Sequence, residues 1–146
     1  MEIQNVTNSN LEHIEASMLH LPQVNIPVTN YFTDNGLYAR EITIPAGTIA
    51  VGHAHNHEFM EVFMSGTLLV PSEQGHITIT APHVGIGKPD IRKIGFAVTD
   101  CRWVTFHPVP EGYGTVEKME ELIIKKSQAF LEYEKELICQ SLQQQS

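Results

Sequence analysis

The stretch Gly52-His53-Ala54-His55-Asn56-His57, with Glu58 and Glu61 just beyond it, decides how this chain is read. Three of the eight histidines stand there on alternate residues. In an extended strand, alternate side chains point to one face. Neutral imidazoles and a carboxylate converging on one face form a donor set suited to a first-row divalent metal. The stretch therefore predicts a small metal-binding β domain, with His53, His55, His57 and Glu61 as candidate ligands.

The flanks extend the β pattern over residues 36 to about 110. Short β-rich runs, Tyr38–Ile44, Thr48–Val51, Val62–Met64 and Thr67–Val70, are separated by Pro or Gly. Pro71-Ser72-Glu73-Gln74-Gly75 reads as a hairpin loop leading into the alternating run His76-Ile77-Thr78-Ile79-Thr80. Two further strands are expected at Ile94–Val98 and Arg102–His107. Many short strands at regular spacing predict a sandwich or a barrel.

Two non-β segments bracket this region. Residues 1–35 form an N-terminal arm in which Asn10 would cap a short helix carrying Leu11, Ile14 and Met18 on one face. Pro22 and Pro27 keep the following chain extended. Val24, Ile26 and Val28 alternate there, so the arm would lie along the sheet of a partner subunit and make a homodimer. Residues 111–146 carry a C-terminal helix from 116 to about 140, then a frayed tail, Gln143-Gln144-Gln145-Ser146. Val116, Met119, Leu122, Ile123, Phe130, Tyr133 and Leu137 make its apolar stripe, and Glu117, Glu120 and Glu121 suit its N-terminal dipole.

Composition bounds the function classes. A chain of 146 residues is normally one domain with a real core, and 42% hydrophobic with 18% charged residues fits a globular protein. A net charge of −8 disfavours nucleic acid, and no apolar run is long enough to span a membrane. The basic region of a signal peptide is not expected, because no Lys or Arg precedes Arg40. Two cysteines, Cys101 and Cys139, make no disulfide framework, which points to a reducing cytoplasm.

At this point the residues resemble the cupin superfamily. Its first motif reads Gly, five residues, His-x-His, three or four residues, Glu, six residues, Gly. Here Gly47 is followed by five residues and His53-Ala54-His55, and Gly66 closes the motif. Pro22-Gln23-Val24, Tyr38-Ala39-Arg40-Glu41-Ile42, Pro45-Ala46-Gly47-Thr48 and Trp103-Val104-Thr105-Phe106-His107-Pro108 are similar to segments of small cupin-like proteins of phages and prophages. The resemblance spans roughly residues 21–110. It implies an all-β jelly-roll (double-stranded β-helix) barrel and one divalent iron, manganese, nickel or zinc ion. It also implies a phage origin, which would place the protein in the host cytoplasm.

The sequence departs from that pattern in two places. With His53 and His55 as the pair, the third-ligand position falls near Phe59. With His55 and His57 the spacing to Glu61 is restored, but the distances to both glycines are broken, so both registers stay open. The second motif, where a late His is expected, reads Gly87-Lys88-Pro89-Asp90-Ile91-Arg92-Lys93-Ile94 without one.

Other candidates have two readings each. Glu61 is a ligand or the ion-pair partner of an arginine such as Arg40. His107 is a core histidine or a site residue. Tyr38 and Arg40 share a strand face and, with His107, would contact a small polar or anionic molecule in the barrel mouth. Two functions follow: an enzyme with open metal positions, or a non-catalytic cupin serving as a ligand-binding, structural or host-interaction module.

Overall fold

The computed structural model describes residues 8–72 and 75–144. In chain order the elements are α1 (Asn8–Met18), β1 (Val28–Phe32), β2 (Leu37–Ile44), β3 (Ile49–Val51), β4 (Ala54–His55), β5 (Phe59–Ser65), β6 (Thr67–Ser72), β7 (Gly75–Thr80), β8 (His83–Gly87), β9 (Ile94–Ala97), β10 (Cys101–Pro108), α2 (Val116–Ile123), β11 (Ile124–Lys125) and α3 (Gln128–Gln144). A five-stranded sheet runs β1-β2-β10-β5-β8 and a four-stranded sheet runs β3-β9-β6-β7, with every pairing antiparallel.

Period-two alternation on β2, β5 and β10 sends one set of side chains inward. Ile44, Phe63 and Cys101 from the large sheet meet Leu68, Val70, Ile79 and Ala97 from the small one. Trp103 stacks on Phe63 with ring centroids 4.8 Å apart. Each large side chain buried this way contributes about 1.5–3 kcal/mol. Gly66 turns the chain from β5 into β6 at φ 107°, and a Cβ there would sit 2.4 Å from the Asp100 carbonyl oxygen. Glycine is required on both counts.

The structure corrects several expectations. The two sheets face each other as an open sandwich rather than closing into a barrel, and three helices accompany them. Val28–Phe32, expected in an arm reaching for a partner, instead forms the edge strand on this chain's own β2. Asn10 lies inside α1 rather than capping it. The single C-terminal helix is two helices. Ile124 is extended (φ −100°, ψ 129°), and β11 pairs with β4 (Ile124↔His55, Lys125↔Ala54). β-Branched Ile123 and Ile124 weaken helix continuation, and Ser127 restarts it by accepting from the Phe130 N–H at 3.1 Å. Of the tail expected to fray, Gln143 and Gln144 are helical. Gln145 and Ser146, and residues Glu73 and Gln74 of the hairpin loop, lie outside the described residues.

Candidate functional site

The inner face of the large sheet has an apolar end and a polar end, and register fixes which residues share each. Ile42, Trp103 and Phe63 stand in one row across β2, β10 and β5; Arg40, Thr105 and Glu61 stand in the next. Tyr38 and His107 follow as the next pair. The apolar row continues the core, while the two polar rows lie at the end that α2 covers. There Met119 and Ile123 of α2 bury Tyr38 completely.

Three contacts bring β4 against this end. Its pairing with β11 is the first. Asn56 supplies the second: its backbone N–H donates to the Ile123 carbonyl at 2.9 Å and its side-chain amide to the Leu122 carbonyl at 3.0 Å, satisfying acceptors at the α2 C-terminus. The third is the Asp90 N–H, which donates to the His55 carbonyl at 2.9 Å. His55 is thereby placed beside His107 (ring centroids 5.6 Å) and Phe59 (4.2 Å). His53 lies edge-on to Phe130 of α3 at 4.6 Å.

Burial is the main electrostatic force here. It lowers the pKa of His55 and of His107 from 6.5 to about 4, with the charge of Arg40 adding to the effect in both and His107 also depressing His55. His53 is lowered chiefly by burial too, against the opposing pull of Glu15. All three imidazoles are therefore neutral near pH 7. Tyr38 is pushed upward by burial. Arg40 is the common cation: its charge is felt at Tyr38, His53, His55 and His107.

What each group bonds to decides the chemistry open to it. The Tyr38 hydroxyl donates to Asn30 Oδ1. His107 Nε2 lies 2.8 Å from Thr105 Oγ1. Glu61, 6% exposed, accepts from Lys93 Nζ at 2.5 Å and from Trp103 Nε1 at 3.3 Å. The partner of Glu61 is thus Lys93 rather than Arg40. Arg40 Nε and the Nδ1 atoms of His53 and His55 are buried with no hydrogen-bond partner.

These placements bear on the expected metal set. His57 is exposed, while His53 and His55 are half-buried. Glu61 is engaged by an ammonium, and Arg40 adds positive charge beside the imidazoles. Among the described residues no three His, Cys, Asp or Glu side chains gather as a metal-holding group. As arranged, His53, His55, His57 and Glu61 do not fit a divalent ion.

The sequence reading missed the contact that closes this end from the far side. Arg92 donates from Nη1 and Nη2 to both carboxylate oxygens of Glu15 (3.0 and 2.8 Å) and from Nε to the Gly52 carbonyl at 2.9 Å. The Ser127 hydroxyl donates to the same carboxylate. Burial alone would raise the Glu15 pKa; the Arg92 and Ser127 hydrogen bonds and the Arg92 charge outweigh it and hold the pKa low. One buried ion pair so ties α1, the residue before His53, and the start of α3 together. Glu15 and Arg92 are 77 residues apart, so no local spacing signals it.

No known family model matches the chain, and no curated protein matches it. Similar solved structures include cupin-domain proteins. A cupin domain from Bordetella pertussis is 17% identical, with 62% of this chain and 99% of that chain covered at a TM-score of 0.45. A putative acetylacetone dioxygenase from Methylibium petroleiphilum is 16% identical, covering 68% and 79% at 0.47. An acetylacetone dioxygenase from Acinetobacter johnsonii is 18% identical, covering 59% and 61% at 0.45. Among the described residues, no helix is long and apolar enough to cross a membrane.

Proposed function

We propose that this chain is a binding module for a small anion, such as a carboxylate or phosphate group, held at the polar end of the sandwich by Arg40 with His53, His55 and His107 around it. One observation carries the reading. Arg40 Nε is buried without a hydrogen-bond partner, and among the described residues Arg40 makes no ion pair. A half-buried guanidinium whose buried Nε–H has no partner carries a desolvation cost, and a bound anion would remove that cost.

The imidazoles suit the role of neutral neighbours. Each carries one N–H that donates to an anion without adding charge. The unpartnered Nδ1 atoms of His53 and His55 are the ring positions free to do so. Tyr38 acts indirectly: its hydroxyl is taken by Asn30, and its ring fixes the strand that carries Arg40. The reading is of binding rather than turnover, because Lys93 occupies the carboxylate best placed to act as a base.

The test is calorimetric titration with inorganic phosphate and with acetate, alongside Arg40→Ala. One of the two anions should bind, and Arg40→Ala should weaken it about ten- to hundredfold, the value of a charge-assisted hydrogen bond. Glu58→Gln, at an exposed residue, should leave binding unchanged. No heat and no thermal shift with either anion at about 10 mM would overturn the reading, as would an Arg40→Ala variant that binds like the parent.

A further inference from the structure

Two neighbouring strands of the large sheet separate at one end. The β10–β5 ladder stops at Phe106↔Met60. Past that pair, β10 continues with β2 (His107↔Tyr38, Pro108↔Leu37) and β5 continues with β8 (Phe59↔Gly87). The parting leaves a notch in the sheet, with a cavity of about 270 Å³. The rings of His107 and Phe59, with centroids 5.5 Å apart, close it on the inner side. Leu37, Met60, Ile86 and Phe106 wall it on the side facing away from Arg40. Those four residues are 52%, 47%, 56% and 39% exposed, so packing within the chain does not account for them. Single exposed apolar residues are ordinary; a concave set around two rings needs an explanation.

We propose that this notch is a binding site for a small neutral aromatic molecule, one ring with a short polar substituent. It is a second site, and it does not rest on the anion reading above.

Size sets the first limit. An apolar cavity of about 150 Å³ is enough for benzene, and drug-sized ligands take roughly 300–1,000 Å³. The notch lies between, with room for one ring and a few further atoms. Wall chemistry sets the second limit. Phe59 and Phe106 offer aromatic surface and Met60 a thioether, all of which favour a ring over an alkyl chain. Charge sets the third. Glu58 at the rim is paired with Lys88 at 2.5 Å, so the two charges offset each other. His107 is neutral near pH 7, its pKa held to about 4 chiefly by burial. A charged ligand would therefore lose hydration without gaining a partner, whereas a hydroxyl can donate to the rim carboxylate. The site also has a built-in reporter, because Phe59 and His107 both touch His55, with ring centroids at 4.2 and 5.6 Å.

NMR titration of the full-length protein with phenol and with cyclohexanol tests the proposal. Phenol should bind with a Kd of about 1 mM, a reasonable affinity for so small a ligand, and shift the ring protons of His107 and His55. Cyclohexanol, of similar size but without a π face, should bind at least threefold more weakly. Met60→Trp, which fills the notch from an exposed position, should weaken phenol at least tenfold. Ile138→Trp, on α3 and 61% exposed, should leave phenol binding unchanged. The absence of any saturable shift up to about 20 mM phenol overturns the proposal. So does a Met60→Trp variant that binds phenol like the parent. Equal affinity for phenol and cyclohexanol overturns the aromatic class. A parent that ignores phenol and sediments as a dimer that Met60→Trp dissociates also overturns it, since a second copy then fills the notch. If Met60→Trp fails to fold, Leu37→Trp at the strand end decides by the same tenfold criterion.

Discussion

Lys93 and Glu61 form an ion pair of 2.5 Å at the place where a metal ligand was expected. The Glu61 side chain is 8% exposed and that of Lys93 is 35% exposed, so the pair is buried at one end and open at the other. The Lys93 ammonium also lies 5.5 Å from the Trp103 ring centroid, while the Trp103 N–H donates to the second Glu61 oxygen. A carboxylate satisfied on both oxygens by these donors has little left to offer an ion.

Removing one partner of this pair should cost more than removing both. Lys93→Met leaves a nearly buried carboxylate with only the Trp103 hydrogen bond. The expected loss is about 1–3 kcal/mol, below the 3–5 typical of a fully buried pair because Lys93 is partly solvated. Adding Glu61→Gln should recover part of it, since the neutral amide no longer needs a cation. Urea unfolding of the two single variants and the double variant measures this as a cycle. Strict additivity would mean that the contact contributes nothing.

Much of the sheet was legible because its signals are local. Alternation along Tyr38–Ile44 and Arg102–His107, and the turn residues after Val70, mark strands without any knowledge of partners. β8 was missed because Gly85 and Gly87 interrupt its pattern, and the extended stretch read at His53–His57 is a strand only at Ala54–His55. The site was harder for a related reason. Three alternating histidines announce a shared face, but not what else reaches it. Lys93 and Glu61 lie 32 residues apart, and Glu15 meets Arg92 only after α1 folds over the sandwich end. Pairing between such distant residues is set by topology, which one-dimensional spacing does not encode.

Stability should depend on pH through the buried imidazoles. His107 and His55 fold with pKa values of about 4 against 6.5 for the unperturbed ring, chiefly because burial disfavours the charged form. Between those values the unfolded chain binds protons that the folded chain refuses. The contribution is therefore complete above about pH 6.5 and is lost as the pH falls through about 4. For His107, 3% exposed, it amounts to at most about 3 kcal/mol; the more exposed His55 gives less. Urea midpoints at pH 7.5, 6 and 5 should fall in that order, and His107→Gln should flatten the trend. A parent whose midpoints are the same at pH 7.5 and pH 5 would refute this account.

Gly87 offers a way to disturb the site without touching its polar groups. Gly87 lies opposite Phe59 on β5, and a Cβ built on it would come within 2.1 Å of the Phe59 ring. The ring therefore rests directly on the glycine, and from that seat it packs on His55 at 4.2 Å and His107 at 5.5 Å. Gly87→Ala should push Phe59 off its seat, at a cost of about 1–3 kcal/mol for overpacking. Because Phe59 helps exclude water from the two imidazoles, its displacement should also let their pKa values move back toward 6.5. NMR titration of the His55 and His107 ring protons would show the shift, and thermal unfolding the lost stability. Phe59→Leu in the Gly87→Ala background should restore stability by relieving the clash. If Gly87→Ala unfolds like the parent and leaves both titrations where they were, Phe59 is not the element that keeps this end of the sandwich dry.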